Sequence, residues 1–173
     1  MSDPEIVALD GDAAAAALDE LAAVLEDCVA GGASVNFMPP FSRADAAAFF
    51  RGVVEEVARG DIVLLVARDG GRIIGTVQLG LATVPNQRHR ADVKKMLVHR
   101  SARNRGIAAA LMRHVEDEAR ARERTLLVLD TCVGSEAERL YVRAGWNRAG
   151  VVPGYALWPD GRPCDAAFFW KRV

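Results

Sequence analysis

With only three cysteines, three histidines and two tyrosines in 173 residues, the chain has few reactive side chains on which to build chemistry. Cys28, Cys132 and Cys164 are odd in number, lie far apart and form no CxxC pair. Neither a disulfide framework nor a zinc site is therefore expected, and all three read as small buried residues in a reducing compartment. No stretch approaches the ~20 apolar residues needed to cross a membrane, and the opening MSDPEIVALDGD has no basic region followed by an apolar run. The expectation is a cytoplasmic protein without a membrane partner. Net charge is also lacking, with 22 Lys plus Arg set against 23 Asp plus Glu. That balance excludes a generally basic nucleic-acid coat, and no nucleic-acid partner is expected.

What is present is a globular composition, 51% apolar with 30 alanines, and a length that suits one domain over residues 1–173. No internal repeat and no Pro/Ser-rich linker divides it. The near-zero charge conceals an asymmetry. From Arg88 to Arg105 seven basic residues (Arg88, Arg90, Lys94, Lys95, Arg100, Arg103, Arg105) face one acid, Asp92, so this segment carries +6 and the remainder −7. A local positive segment in a neutral domain points to a compact anionic partner such as a phosphorylated cofactor.

Patterning predicts a strand over Ile6–Leu9, a helix over Asp12–Ala30 stopped by Gly31 and Gly32, and a helix over Ala44–Arg59 opened by a Ser42/Asp45 capping box. Asp61–Ala67 and Arg72–Leu81 read as a hairpin around Asp69, Gly70 and Gly71, and Ala91–Val98 as a further strand interrupted by Lys94 and Lys95. A helix follows over Gly106–Glu123, with Ile107, Leu111, Val115 and Ala119 at helical spacing. Thr125–Asp130 is apolar on consecutive positions, as in a strand covered on both faces. Ser135 and Glu138 form a second capping box, opening a helix that Gly145 ends. Trp146–Val152 and Ala166–Val173 read as strands flanking the loop PGYALWPDGRPC. The order β-α-α-β-β-β-α-β-α-β-β is that of an α/β domain with a mixed sheet.

The unit from Met96 to Met112 carries the most chemistry. Its loop enters a helix through Arg103-Asn104-Arg105-Gly106-Ile107-Ala108. Unpaired N–H groups at a helix N-terminus favour an anion, Gly106 admits close approach of the backbone, and Ala108 keeps the next turn small. Arginine there opposes the helix dipole unless an anion is bound, which favours a pyrophosphate site over an ordinary basic turn. There is no GxxxxGK[ST], no GxGxxG opening a βα unit, no GxSxG and no HExxH.

Arg103, Gly106 and Ala108 after an apolar strand resemble the acetyl-CoA pyrophosphate loop of the GNAT superfamily of N-acetyltransferases. Leu140-Tyr141-Val142-Arg143-Ala144-Gly145-Trp146 is similar to that family's LY-x-x-x-GF segment, with Trp146 replacing Phe. Gly31 to Met38, Val128 to Thr131 with Gly134 and Ser135, and Pro153 to Arg162 resemble the tabtoxin-resistance branch, whose members acetylate a toxic β-lactam amino acid.

The resemblance implies a GNAT-like, mostly antiparallel sheet of about seven strands with four helices, and acetyl-CoA as cosubstrate. It implies cofactor contacts at Met96, Leu97, Val98, Arg103, Arg105, Gly106, Ile107, Ala108, Ala109 and Ser135, those of the first three through the main chain. Tyr141 is similar to the family's general acid, a phenol of pKa about 10 suited to protonating a thiolate; alternatively it is a core tyrosine on the apolar face with Ala137 and Leu140, but its spacing from Gly145 and Trp146 favours the acid. Asp130 and Asp92 are candidates to take the acceptor amine's proton and to bind substrate; Asp92 alternatively balances Arg90 or Lys94, and Asp130 alternatively caps a turn. Asn36 and Phe37, in the Gly31 to Phe41 loop, are candidate acceptor contacts, or the loop's aromatic residues simply pack it. No metal is expected, and the lack of an activated Cys beside a His favours direct transfer in a ternary complex.

The expected function is acetylation of the primary amine of a small molecule, an amino acid or toxin analogue, by a monomer or homodimer. Alternatives are an aminoglycoside or a protein N-terminus as acceptor, or a non-catalytic acyl-CoA sensor. The +6 segment is expected to serve the phosphates of one CoA molecule.

Overall fold

A computed structural model describes residues 4–173. The chain runs through β1 (Glu5–Leu9), α1 (Gly11–Ala16), α2 (Leu18–Ala30), α3 (Arg43–Arg59), β2 (Ile62–Asp69), β3 (Arg72–Leu81), β4 (Arg90–Val98), α4 (Ile107–Ala121), β5 (Leu126–Cys132), α5 (Glu136–Arg143), β6 (Asn147–Leu157) and β7 (Pro163–Arg172). The strands form one seven-stranded sheet in the order β1-β2-β3-β4-β5-β7-β6. Only β4 and β5 pair in parallel among the described residues. The α/β class, the seven strands and the mostly antiparallel sheet agree with expectation.

The sheet partitions the core. On one side α4 lays Ile107, Leu111, Val115 and Ala119 against Val63, Leu65 and Ala67 of β2. On the other, α2 and α3 cover Ile62, Leu64 and Val66 with Leu21, Leu25 and Phe50. Strand β2 is thus buried at consecutive positions because both faces are covered. A two-residue turn joins β2 to β3, with Gly70 and Gly71 at φ 56° and 81°, a turn that needs left-handed conformations at both positions. The α3 capping box is complete: Ser42 Oγ accepts from the Asp45 N–H, and the Asp45 carboxylate accepts from the Ser42 N–H at 2.9 Å.

Several expectations are corrected. The single helix over Asp12–Ala30 is two, broken at Ala17, which raises the α-helix count to five. No Gly or Pro marks this break within the run; Ala14 of α1, Ala17 at the break and Ala22 of α2 all lie in the core shared with α3. Strand β5 is not covered on both faces: Leu127 and Leu129 are buried, whereas Val128 is half-buried and Asp130 exposed. The second capping box is only half formed, since the Glu138 carboxylate accepts from the Gly134 N–H and not from that of Ser135. Strands β6 and β7 are longer than expected, and most of PGYALWPDGRPC belongs to them. A register irregularity between Val152 and Ala156 absorbs Pro153 on the edge strand.

Cys132 and Cys164, expected to be unpaired, form a disulfide. Cys132 lies opposite Ala166 in the β5–β7 ladder, two residues from Cys164, so strand pairing closes a separation of 32 residues. Cys28 is free and buried. No helix of the described residues is long and apolar enough to cross a membrane.

Two substitutions calibrate this packing. Leu111→Ala is expected to cost about 3 kcal/mol, as a fully buried leucine leaves a cavity between α4 and the sheet. Gly52→Ala, at an exposed site inside α3 where a Cβ meets nothing within 4 Å, is expected to add about 0.5–1 kcal/mol. Thermal melts of both against the parent check the opposite signs.

Candidate functional site

Strands β4 and β5 pair through three residues only, Arg90–Asp92 with Leu126–Val128, and then separate. In the β3–β4 ladder Gln78 faces Lys94 and Thr76 faces Leu97, so β4 carries one extra residue; Lys95, at φ 53°, lies in this bulge. The bulge exchanges the faces of the strand. Ala91 and Val93 point into the α4 core before it, Met96 and Val98 pack against that core after it, and Leu97 joins the opposite cluster.

Past the bulge a groove of about 500 Å³ runs between β4, α4 and α5. Its walls are Met96, Leu97 and Val98, the Arg103–Asn104 and Gly106–Ala109 segments, and Ala137, Leu140 and Ala144 of α5. Gly106 is the N-cap of α4 at φ 75° and supplies no side-chain cap, so the N–H groups of Ile107, Ala108 and Ala109 have no partner within the helix. Ile107 and Leu97 line the groove and bury their side chains in the two cores.

The basic residues divide. Arg103 lines the groove and donates to the Val98 carbonyl at 3.3 Å. Arg105 and Arg100 are engaged elsewhere, Arg105 with Asp69 at 2.7 Å and Arg100 with Asp27 at 2.9 Å. Burial alone would raise the Asp27 carboxyl, but hydrogen bonds from Arg100 and the charges of His99 and Arg100 hold it below its usual value. Ser135 caps α5, 3.2 Å from Thr131 Oγ1, and does not line the groove. Arg113 and Arg143, which no motif singled out, do line it. Arg113 was within reach of sequence reasoning, since it stands four residues after Ala109 on the same face of α4.

A second cavity, of about 830 Å³, opens where β4 and β5 are still joined. It holds Asp92, Lys94, Lys95 and Asp130, with Arg90, Glu56, Asp61, Asn36 and Phe168 around them. The expectation that the whole +6 segment serves phosphates is overturned: Arg90, Lys94 and Lys95 belong to this cavity and are absent from the groove. Asp92 is held by Arg90 at 3.0 Å. Asp130 opens onto the cavity, yet the surrounding walls desolvate it. Burial pushes its carboxyl above the usual range, the charge of Asp92 adds to the rise, and Lys95 opposes it. Asn36 lines the cavity from a left-handed position at φ 73°. Phe37 does not line it, packing instead on Phe41 and Phe49 with ring centroids 4.7 and 5.2 Å away.

Tyr141 is 5% exposed and sits on α5 in the aromatic core, its ring 6.1 Å from Trp146 and 6.2 Å from Phe169. Burial, reinforced by the negative charge of Asp130, raises its hydroxyl pKa far above that of a free phenol, so it remains protonated. Helix α5 is anchored from below. Lys171 Nζ donates to Glu116 at 2.7 Å and to the carbonyl of Ala144, the α5 C-cap, at 2.8 Å.

The model of the acetyltransferase (GNAT) family matches residues 36–146, the span that contains both cavities' β4 and β5 walls, the Gly106 loop and Tyr141. The chain belongs to this family. As a GNAT acetyltransferase it is 35% identical over 109 residues, 62% of its own length and 67% of the relative's, to the IAA acetyltransferase of Azospirillum brasilense. Its fold matches an N-acetyltransferase from Staphylococcus aureus Mu50 at a TM-score of 0.80 and 21% identity, covering 99% of each chain. It also matches a GNAT superfamily phosphinothricin acetyltransferase from Sinorhizobium meliloti, solved in complex with AcCoA. That match has a TM-score of 0.79 and 18% identity over 99% of this chain and 89% of the other.

The raised carboxyl of Asp130 fixes the sign of a stability test. Its folded pKa exceeds the unfolded one, so its ionised form destabilises the fold above the folded pKa, and the penalty vanishes as pH falls below the unfolded pKa of about 3.9. Asp130→Asn is expected to melt higher than the parent at pH 7, with the difference closing towards pH 3. Melting curves across that range check it.

Proposed function

We propose that the chain is an acetyl-CoA-dependent N-acetyltransferase that moves an acetyl group to the primary amine of a small molecule by direct attack in a ternary complex. One observation carries the reading. Consecutive stretches of β4 wall two cavities of different character, one holding carboxylates as far as Lys95 and the other beginning at Met96 beneath the unpaired N–H groups of α4.

The groove fits the donor. The separation of β4 from β5 leaves a strand edge at Met96–Val98 for the amides of an extended arm, and the N–H groups of Ile107–Ala109 with Arg103, Arg113 and Arg143 suit a pyrophosphate. Gly106 at φ 75° holds the loop in a conformation that side chains disfavour, and a Cβ there meets no protein atom within 4 Å. Bound there, acetyl-CoA supplies a thioester carbonyl open to attack by a neutral amine. On the acceptor side Asp92 is engaged by Arg90, whereas Asp130 has no ion pair among the described residues and a carboxyl that burial raises above its usual range. Asp130 is thus the better candidate to take the amine's proton, directly or through water. Tyr141 lines neither cavity but stays protonated in the core next to Leu140, which walls the groove, a position that suits the donation of a proton to the departing thiolate.

The acceptor proposed is an amino acid or a toxic analogue such as a tabtoxinine-type β-lactam, with toxin resistance as the consequence. The resemblance of Gly31 to Met38 and Pro153 to Arg162 to the tabtoxin-resistance branch supports it. An aminoglycoside fits less well, because the cavity sets Arg90, Lys94 and Lys95 among its acids.

Tyr141→Phe is expected to lower turnover by about 10²–10⁴-fold with acetyl-CoA affinity nearly unchanged. Undiminished turnover would remove Tyr141 as the acid. Gly106→Val is expected to weaken CoA binding at least about tenfold by calorimetry, and undiminished binding would overturn the groove assignment. A screen of amino acids, β-lactam amino acids, aminoglycosides, polyamines and short peptides for CoA release identifies the acceptor.

A further inference from the structure

Lys95 is held in an unusual way. The bulge places it in the left-handed region at φ 53° and turns it to the cavity side with its neighbour Lys94 and with Asp92. Its Nζ lies 5.5 Å from the ring centroid of Phe37, on the loop before α3, and 5.7 Å from that of Phe49, on α3 itself. Among the described residues it makes neither a hydrogen bond nor an ion pair, whereas Arg90 in the same cavity is paired with Asp92. Two ring faces attract a cation without filling the three N–H positions of an ammonium. A half-buried ammonium so placed costs free energy until an acceptor reaches it, and an anion does this best. Asp130, likewise without an ion pair, lines the same cavity close enough for the two charges to shift each other's ionisation.

We infer that Lys95 is the anion clamp of the acceptor cavity, so that the amines acetylated here carry a carboxylate or an oxyacid of similar size near the reacting nitrogen. Lys95 takes the acid group of a compact zwitterion while Asp130 faces its amine. Phe37 and Phe49 hold the ammonium in place and exclude water from it. The inference rests on the proposed function, in that it takes the Asp130 cavity as the acceptor side.

Paired ligands test it: L-leucine with isoamylamine and L-phenylalanine with phenethylamine, each amine lacking only the carboxylate. Calorimetry on CoA-loaded protein measures binding, and acetyl transfer gives KM and kcat. The amino acids are expected to bind roughly tenfold to a hundredfold more tightly than their amines, the worth of a charge-assisted contact. Lys95→Met is expected to erase that preference in binding and in KM, leaving acetyl-CoA affinity within about twofold, and Lys95→Arg to keep most of it. Equal binding within each pair in the parent, or a preference that survives Lys95→Met, overturns the clamp. A Lys95-dependent preference without transfer to any amine would uphold the clamp and overturn the proposed reaction instead.

Discussion

Hydrogen bonding between β4 and β5 stops after three residue pairs, and the rest of the site is arranged around that interruption. Two parallel strands that stayed paired would satisfy each other's amides and leave no edge for a ligand. Once they part, Met96–Val98 exposes main chain to a groove, the residues of α4 that follow Gly106 bring their N–H groups to its end, and α5 closes its side. The extra residue in β4 supports the same arrangement, since it sends Lys94 and Lys95 to one side of the sheet and Met96 and Val98 to the other.

The two cavities use different atoms. Ile107 and Leu97 line the groove while their side chains hold the core, so the groove proposed for the donor is joined to the packing of α4 on the sheet. The cavity proposed for the acceptor presents charged side chains, with Asp92, Lys95 and Asp130 set among acids and bases that nearly cancel. Main-chain recognition depends on where the backbone goes, and side-chain recognition on which residue occupies a position. Lys171 links the two kinds of order, holding the α5 C-cap carbonyl and the α4 carboxylate of Glu116 with one ammonium.

Elements governed by local rules were legible in the sequence. The Ser42/Asp45 capping box, the Gly70-Gly71 turn, the α4 stripe and the Gly106 helix start each follow from a few adjacent residues, and the structure has all of them. Legibility failed wherever tertiary pairing decided. The Cys132–Cys164 bond depends on β5 meeting β7, and the division of the +6 segment on a bulge that charge counting does not register, while the α1–α2 break at Ala17 carries no Gly or Pro to mark it. Arg105 and Arg100 looked like phosphate ligands because arginine opposes a helix dipole; Asp69 and Asp27, distant in sequence, supply the counter-charge instead.

The bulge at Lys95 also bears on how this chain can diverge. Exchanging residue 95, Phe37 or Phe49 rewrites what the proposed acceptor cavity meets while the main chain at Met96–Val98 keeps its course. Deleting one residue there would instead reverse every side chain that follows in β4, sending Met96 and Val98 away from the α4 core and Leu97 into it. Descendants of this sequence can therefore explore new acceptors by point substitution, but not by changing the length of β4.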